Sequence, residues 1–209
     1  DCLERTKARW SAFSAKFKPR VIARGAIAKR VTDAGIKARF VNCSFENYYG
    51  RNYRRDFAAA DENIFITGSP GTGKTHIACA FARTRLWRGK GVRFTTSTEL
   101  LLEIKRTFGR EKERTALDED ESDIVKRFLQ YDVVIIDDIG VERTSEWVLQ
   151  TLYTIIDGRY ANRLQTVFTS NFSLADIAAK IGDRLASRIG AGKIIKVDGS
   201  DYRMKRGKA

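Results

Sequence analysis

Little in this chain can close a covalent framework or cage a metal. Cys2, Cys43 and Cys79 are far apart and odd in number, so they give neither a disulfide scaffold nor a metal-ligand spacing. That usage fits a reducing compartment, and a cytoplasmic location is expected. The single histidine, His76, lies just inside a predicted helix and reads as a packing residue. No apolar run approaches the roughly 20 residues that cross a bilayer. No secretory signal stands at the start of the sequence, which begins at Asp1. What the chain does have is 43% apolar residues in 209, enough for a substantial core in one domain, or one and a half.

Charge is abundant and unevenly placed. The formal net charge is +13. Residues 1–55 carry 14 Lys/Arg against 4 Asp/Glu, residues 56–198 carry 21 of each, and residues 199–209 carry 4 against 1. A neutral middle with basic ends points to nucleic acid or an acidic protein partner. The alternative is a solvated surface that only keeps the chain soluble.

The neutral part contains the sharpest motif. Gly68-Ser69-Pro70-Gly71-Thr72-Gly73-Lys74-Thr75 matches the phosphate-binding pattern G-x-x-x-x-G-K-[ST] at every fixed position. Asn63 to Thr67 reads as a short buried strand before it, and His76 to Trp87 as a helix after it. Glycines let successive N–H groups turn inward toward phosphate oxygens at the positive end of the helix. Lys74 can reach the β- and γ-phosphates, and the Thr75 hydroxyl can hold Mg²⁺. Gly68 to Thr75, with His76 next to them, are the expected nucleotide contacts, and ATP with Mg²⁺ the expected ligands.

A second motif is Asp132-Val133-Val134-Ile135-Ile136-Asp137-Asp138. Four consecutive β-branched residues suit a strand buried on both faces of a parallel sheet. Its acids fall at the carboxyl end, where open α/β sheets bind ligands. Asp137 is the expected metal carboxylate, and Asp138 can orient or deprotonate the attacking water. Adjacent carboxylates repel unless a cation offsets them. Gln165 to Ser170 reads as another strand, ending in Asn171. That residue either senses the γ-phosphate or merely precedes the helix that Ser173 caps.

The remaining segments read as follows. Residues 1–18 place Leu3, Trp10, Phe13 and Phe17 at helical spacing among lysines and arginines, with Pro19 as the stop. A second basic helix is expected from about Arg20 to Asp33, ended by Gly35. Aromatics on such an arm can stack on bases, dock into a partner, or pack on the core. Ala38 to Tyr48 lacks either period and is expected to wrap the core near the nucleotide's base, followed by a short helix over 52–60. Gly91 to Thr96 is a strand, and Ser97 is the expected cap of a helix running to about Phe108. Residues 109–123 are highly charged and read as an exposed, mobile connection, with a partly helical one as the alternative; Ile124 to Gln130 adds a short helix. A long helix is expected from Ser145 to Asn162, another from Ala178 to Ile189, and a fifth strand from Gly192 to Val197. Arg184 and Arg188 share a helix face, as an exposed ladder or as fingers reaching a neighbour's nucleotide.

With these residues in view, the chain resembles the AAA+ ATPases, in particular the replicative-helicase loaders of the DnaC/DnaI type within the IstB-like ATP-binding superfamily. The matching pieces are RFVNCSFENY, GSPGTGKTHIA, VVIIDDIG, TVFTSN, DRLASRI and the terminal DYR, between about residues 39 and 206. The resemblance implies an α/β P-loop fold with a five-stranded parallel sheet in the order 5-1-4-3-2 and helices on both faces. It implies an ATPase domain over 38–209 preceded by a basic helical arm over 1–37. Arg188 becomes the arginine finger acting in trans, Arg184 a second choice, and Arg203 a candidate second sensor. Lys105 and Arg106 become candidate contacts to single-stranded DNA. The implied partners are a replicative helicase, single-stranded DNA and further copies of the chain through the ATP site. Two departures stand out. Asp138 replaces the glutamate common in AAA+ enzymes, which implies slow, switch-like hydrolysis. Few residues follow the fifth strand, so no C-terminal helical lid is expected. The rival readings are a transposition helper of the IstB type that assembles on duplex DNA, a P-loop nucleotide or metabolite kinase, and a non-catalytic interaction protein.

Overall fold

Strands that are apolar on both faces need cover on both sides, and crossover helices supply it. The computed structural model describes residues 24–202, apart from 50, 52, 59–60 and 109–119. Five strands, β1 (Ile64–Thr67), β2 (Val92–Thr96), β3 (Val133–Asp137), β4 (Gln165–Ser170) and β5 (Lys193–Lys196), form one sheet in the order β2-β3-β4-β1-β5. All four pairings are parallel, so the expected order 5-1-4-3-2 is observed. Every residue of β3 and β4 is buried.

Alternation along the strands splits the core in two. Ile64, Ile66, Val133 and Ile135 face one side, where they meet α1 (Arg24–Asp33) and α3 (Lys74–Trp87) through Val31, Ile77 and Phe81. Phe65, Val134, Ile136 and Phe168 face the other. There they are covered by α4 (Ser97–Lys105), α5 (Glu121–Phe128), α6 (Glu146–Ala161), α7 (Leu174–Ile181) and α8 (Asp183–Ile189). A short α2 (Arg54–Ala58) leads toward β1. The described part of the basic arm is docked: Ile27, Val31, Ala34 and Ile36 are buried, and the Phe94 N–H donates to the Ala34 carbonyl at 2.6 Å.

Several local expectations shift. The helix after the phosphate loop begins at Lys74, because left-handed Gly73 (φ 93°) turns the chain directly into it. Thr96, not Ser97, caps α4: its hydroxyl accepts from the Glu99 N–H, and the Glu99 carboxylate accepts from the Thr96 N–H. Ser97 is committed elsewhere, its hydroxyl bonded to the Asp138 carbonyl and the Glu142 carboxylate. For the charged connection the partly helical alternative is the one observed, since Asp120 and Asp123 form a capping box that starts α5 at Glu121. The helix expected from Ala178 to Ile189 is two helices, α7 and α8, parted at Gly182 (φ 91°, ψ 151°). The first predicted helix, over residues 1–18, lies outside the described residues.

Candidate functional site

The carboxyl ends of β1, β4 and β3 lie side by side, and each ends in a polar residue or loop. After β1 the chain turns through Gly71 (φ 77°) and Gly73, positions where a side chain would be strained. A Cβ on Gly73 would sit 2.6 Å from the Tyr48 ring. Lys74 opens α3 and is 5% exposed. Its ammonium donates to the carbonyls of Gly68 and Ser69 at 2.8 and 2.9 Å and to Asn171 Oδ1 at 2.7 Å. Lys74 and Asn171, 97 residues apart in sequence, are thus joined by the order of the strands.

The acidic end is equally fixed. The Thr75 hydroxyl lies 3.0 and 3.2 Å from the two Asp137 carboxylate oxygens. The Thr169 hydroxyl donates to Asp137 Oδ1 at 2.6 Å and accepts from the Asp138 N–H at 2.9 Å. Burial, chiefly, pushes the Asp137 carboxyl up to about 6, with the Asp138 charge adding to the rise and the Thr169, Thr75 and Lys74 contacts opposing it. Asp138 takes the left-handed conformation (φ 55°) and lines the same cavity as Lys74, Thr75 and Asn171. One hydroxyl beside a carboxylate that burial disfavours as an anion is an oxygen donor set that fits Mg²⁺, an ion that keeps waters and phosphate oxygens as its other ligands. Among the described residues no group of three His, Cys, Asp or Glu could hold a metal by itself.

The cavity measures about 530 Å³, within the range of small-molecule sites. The 38–48 segment walls it as expected: Asn42, Cys43, Asn47 and Tyr48 line it. The Tyr48 hydroxyl donates to the Thr72 carbonyl at 2.7 Å. His76 is a packing residue and also lines the cavity; its Nε2 lies 2.9 Å from the Ser44 carbonyl, and its ring 5.5 Å from that of Tyr48. The end of the described chain closes over the loop, with the Tyr202 N–H donating to the Gly71 carbonyl at 3.1 Å.

Other predicted residues lie away from this cavity. Arg188 sits at the opposite edge of the sheet, where its carbonyl meets the Asn63 amide just before β1. Its Nε donates to Asp157 at 2.9 Å. Arg184 is exposed, its guanidinium 5.3 Å from the centre of the Tyr153 ring. Lys105 and Arg106 are exposed at the end of α4. Arg203 lies outside the described residues. Sequence reasoning missed Thr169, which has no outward signal on a fully buried strand. It also missed an aromatic pair beside Lys105 and Arg106, in which the Phe108 ring meets Trp147 edge-on at 5.3 Å. Phe108 is 46% exposed, and a large exposed aromatic beside two cations was a signal available from neither period nor spacing.

Comparison with known proteins extends this geometry to a lineage. The protein-family model described as IstB-like ATP binding protein matches residues 53–209. The replicative helicase loader DnaC of Escherichia coli K12 is 28% identical over 176 residues, covering 78% of this chain and 69% of that protein. DnaC of Buchnera aphidicola subsp. Baizongia pistaciae is 28% identical over 171 residues, covering 76% and 68%. A crystal structure of the DnaC helicase loader superposes with a TM-score of 0.64 at 25% identity, over 78% of this chain and all of that one. On the sheet order β2-β3-β4-β1-β5, Asn171 at the end of β4 stands between the phosphate loop after β1 and Asp137 at the end of β3. The chain therefore belongs to the IstB-like ATP-binding protein family, in its DnaC-type branch of AAA+ P-loop proteins.

Proposed function

We propose that this chain is an ATP-dependent helicase loader of DNA replication initiation, a switch that binds MgATP, single-stranded DNA and a replicative helicase. The observation that carries the nucleotide part is the convergence of Lys74, Thr75, Asp138 and Asn171 on one cavity, with buried Asp137 bonded to the Thr75 hydroxyl. Likeness to proteins named as replicative helicase loaders supports the wider role. Residues 38–209 act as the ATPase domain and residues 1–37 as a basic partner-binding extension, part of which is docked on the core.

In this reading the backbone N–H groups of Gly71 to Thr75 and the Lys74 ammonium hold the β- and γ-phosphates. Thr75 and Asp137 would hold Mg²⁺, which when bound neutralises phosphate charge as the γ-phosphoryl group departs. Asp138 accepts a proton from the attacking water; its short side chain requires that water to sit close to the backbone. Asn171, already bonded to Lys74, exchanges that partner for a γ-phosphate oxygen and so reports which nucleotide is present. Arg188 completes the site of a second copy. Lys105 and Arg106 neutralise DNA phosphates, and the Phe108 ring beside them offers a face for an unpaired base.

The matched family description favours one rival, a transposition helper that assembles on duplex DNA. Salt-dependent binding to single-stranded and duplex DNA, with and without a non-hydrolysable ATP analogue, separates the two. The loader predicts preference for single strands and capture of a hexameric helicase. Preference for duplex with no helicase capture overturns it. Replacing Lys105 and Arg106 by Gln should lower the slope of log affinity against log salt by about 1.4 for single strands.

A further inference from the structure

Two arginines reach toward the same end of α6 and are treated oppositely by their surroundings. Arg159 is fully buried and spends its donors inside the fold: Nε on the Thr166 hydroxyl at 2.9 Å, Nη1 on the carbonyls of Phe128 and Tyr131, Nη2 on the Gln165 carbonyl at 2.7 Å. Arg188 spends one. Its Nε donates to Asp157 Oδ1 at 2.9 Å, and its guanidinium carbon lies 4.8 Å from the centre of the Tyr160 ring. Among the described residues, the four Nη hydrogens have no hydrogen-bond acceptor.

The mounting beneath Arg188 is rigid. Its neighbours Leu185, Ala186 and Ile189 are buried in the core, and its own carbonyl is held by Asn63. Asp157 and Tyr160 are three residues apart on one face of α6, so a carboxylate and an aromatic ring approach the guanidinium together. The side of the guanidinium that carries Nε is tied down, while the fork suited to a phosphate has no acceptor among the described residues. A long flexible side chain loses rotamer freedom when it is fixed, and here that loss has been taken before any phosphate arrives. By contrast, the exposed Arg184 has an aromatic neighbour and no ion pair among the described residues.

We infer that Asp157 and Tyr160 are positioning residues that hold Arg188 preset for the phosphates of a nucleotide bound by a second copy of this chain. The inference rests on the proposed role of Arg188 as a finger acting in trans. Asp157 contributes direction through its bond to Nε; Tyr160 supports the flat face of the cation. Both lie at the opposite edge of the sheet from the phosphate loop of their own chain, so they act on a neighbour's turnover and not on nucleotide affinity within the subunit.

The test uses the full chain and measures kcat and KM for ATP, ATP affinity at a concentration where the chain is monomeric, and thermal stability. Asp157→Ala should lower kcat about tenfold, as expected when an ordered reacting group is released to many rotamers, with monomer ATP affinity unchanged. Asp157→Asn, which keeps an acceptor for Nε, should recover most of that loss. In an Arg188→Ala background, Asp157→Ala should have no further effect. A normal kcat in Asp157→Ala, or a further loss in the Arg188→Ala background, overturns the positioning role. Normal turnover in Arg188→Ala itself removes the finger reading, and the positioning role with it. Tyr160→Leu should show a smaller loss with the same dependence on Arg188; a loss independent of Arg188 would assign Tyr160 to packing alone.

Discussion

The two edges of the sheet are built on different principles. At the carboxyl edge the groups that would meet phosphate and metal are already engaged by others of the same chain: Lys74 by Asn171, Asp137 by Thr75 and Thr169, the Asp138 N–H by Thr169. At the amino edge Arg159 is closed in the same way, yet Arg188 is held by one hydrogen bond and the Tyr160 ring, with its Nη donors unspent among the described residues. A site that must bind its ligand reversibly gains from being preorganised by interchangeable internal bonds. A group that must serve another molecule has to keep its donors unspent. The contrast separates what the chain does alone from what it does in company.

The largest effect should come from breaking the closed arginine. Arg159→Leu strands the carbonyls of Phe128, Tyr131 and Gln165, and should cost about 3–5 kcal/mol of stability in urea denaturation. A cost near zero would mean that the amino edge is as open at Arg159 as at Arg188. Next, Lys74→Ala should weaken ATP binding by about 2–3 kcal/mol in a fluorescence titration, since a charge-assisted contact is lost. Retained affinity would place the nucleotide elsewhere. The smallest effect has the opposite sign. The Asp137 carboxyl prefers its proton when folded, so between about 4 and about 6 the native state binds more protons than the unfolded chain. Stability of the nucleotide-free protein should therefore fall as pH rises through that window. Asp137→Asn should gain about 1–2 kcal/mol at pH 7.5, lose that advantage by pH 4, and no longer be stabilised by MgATP. An advantage independent of pH would rule out the ionised carboxylate as its source.

These features differ in how far the sequence exposed them. The phosphate loop was legible because its requirements are local: glycines where the backbone must turn, then a lysine and a hydroxyl at fixed offsets. Asp137 was legible from a β-branched run ending in acid. The sheet order came through resemblance, since no single strand carries information about its neighbours. The break at Gly182 was hidden because Ile181, Leu185 and Ile189 keep a four-residue apolar spacing straight through it. The cap of α4 was placed one residue late because Thr96 and Ser97 are chemically alike, and only tertiary contacts with Asp138 and Glu142 decide between them. Arg159 and Thr169 were invisible for a related reason: their partners are backbone groups and side chains brought together by folding alone.

The placement of Arg188 across the sheet from the phosphate loop has a consequence for counting. Under the proposed reading, each copy lends its arginine in one direction and receives one from the other, so contacts between copies are head-to-tail. In an open row one terminal copy lends without receiving, and its nucleotide goes unserved. Turnover per chain then rises with the length of the row, and closure into a ring would serve the last site. A chain built this way can register whether its assembly is finished, using one guanidinium per copy as the mark.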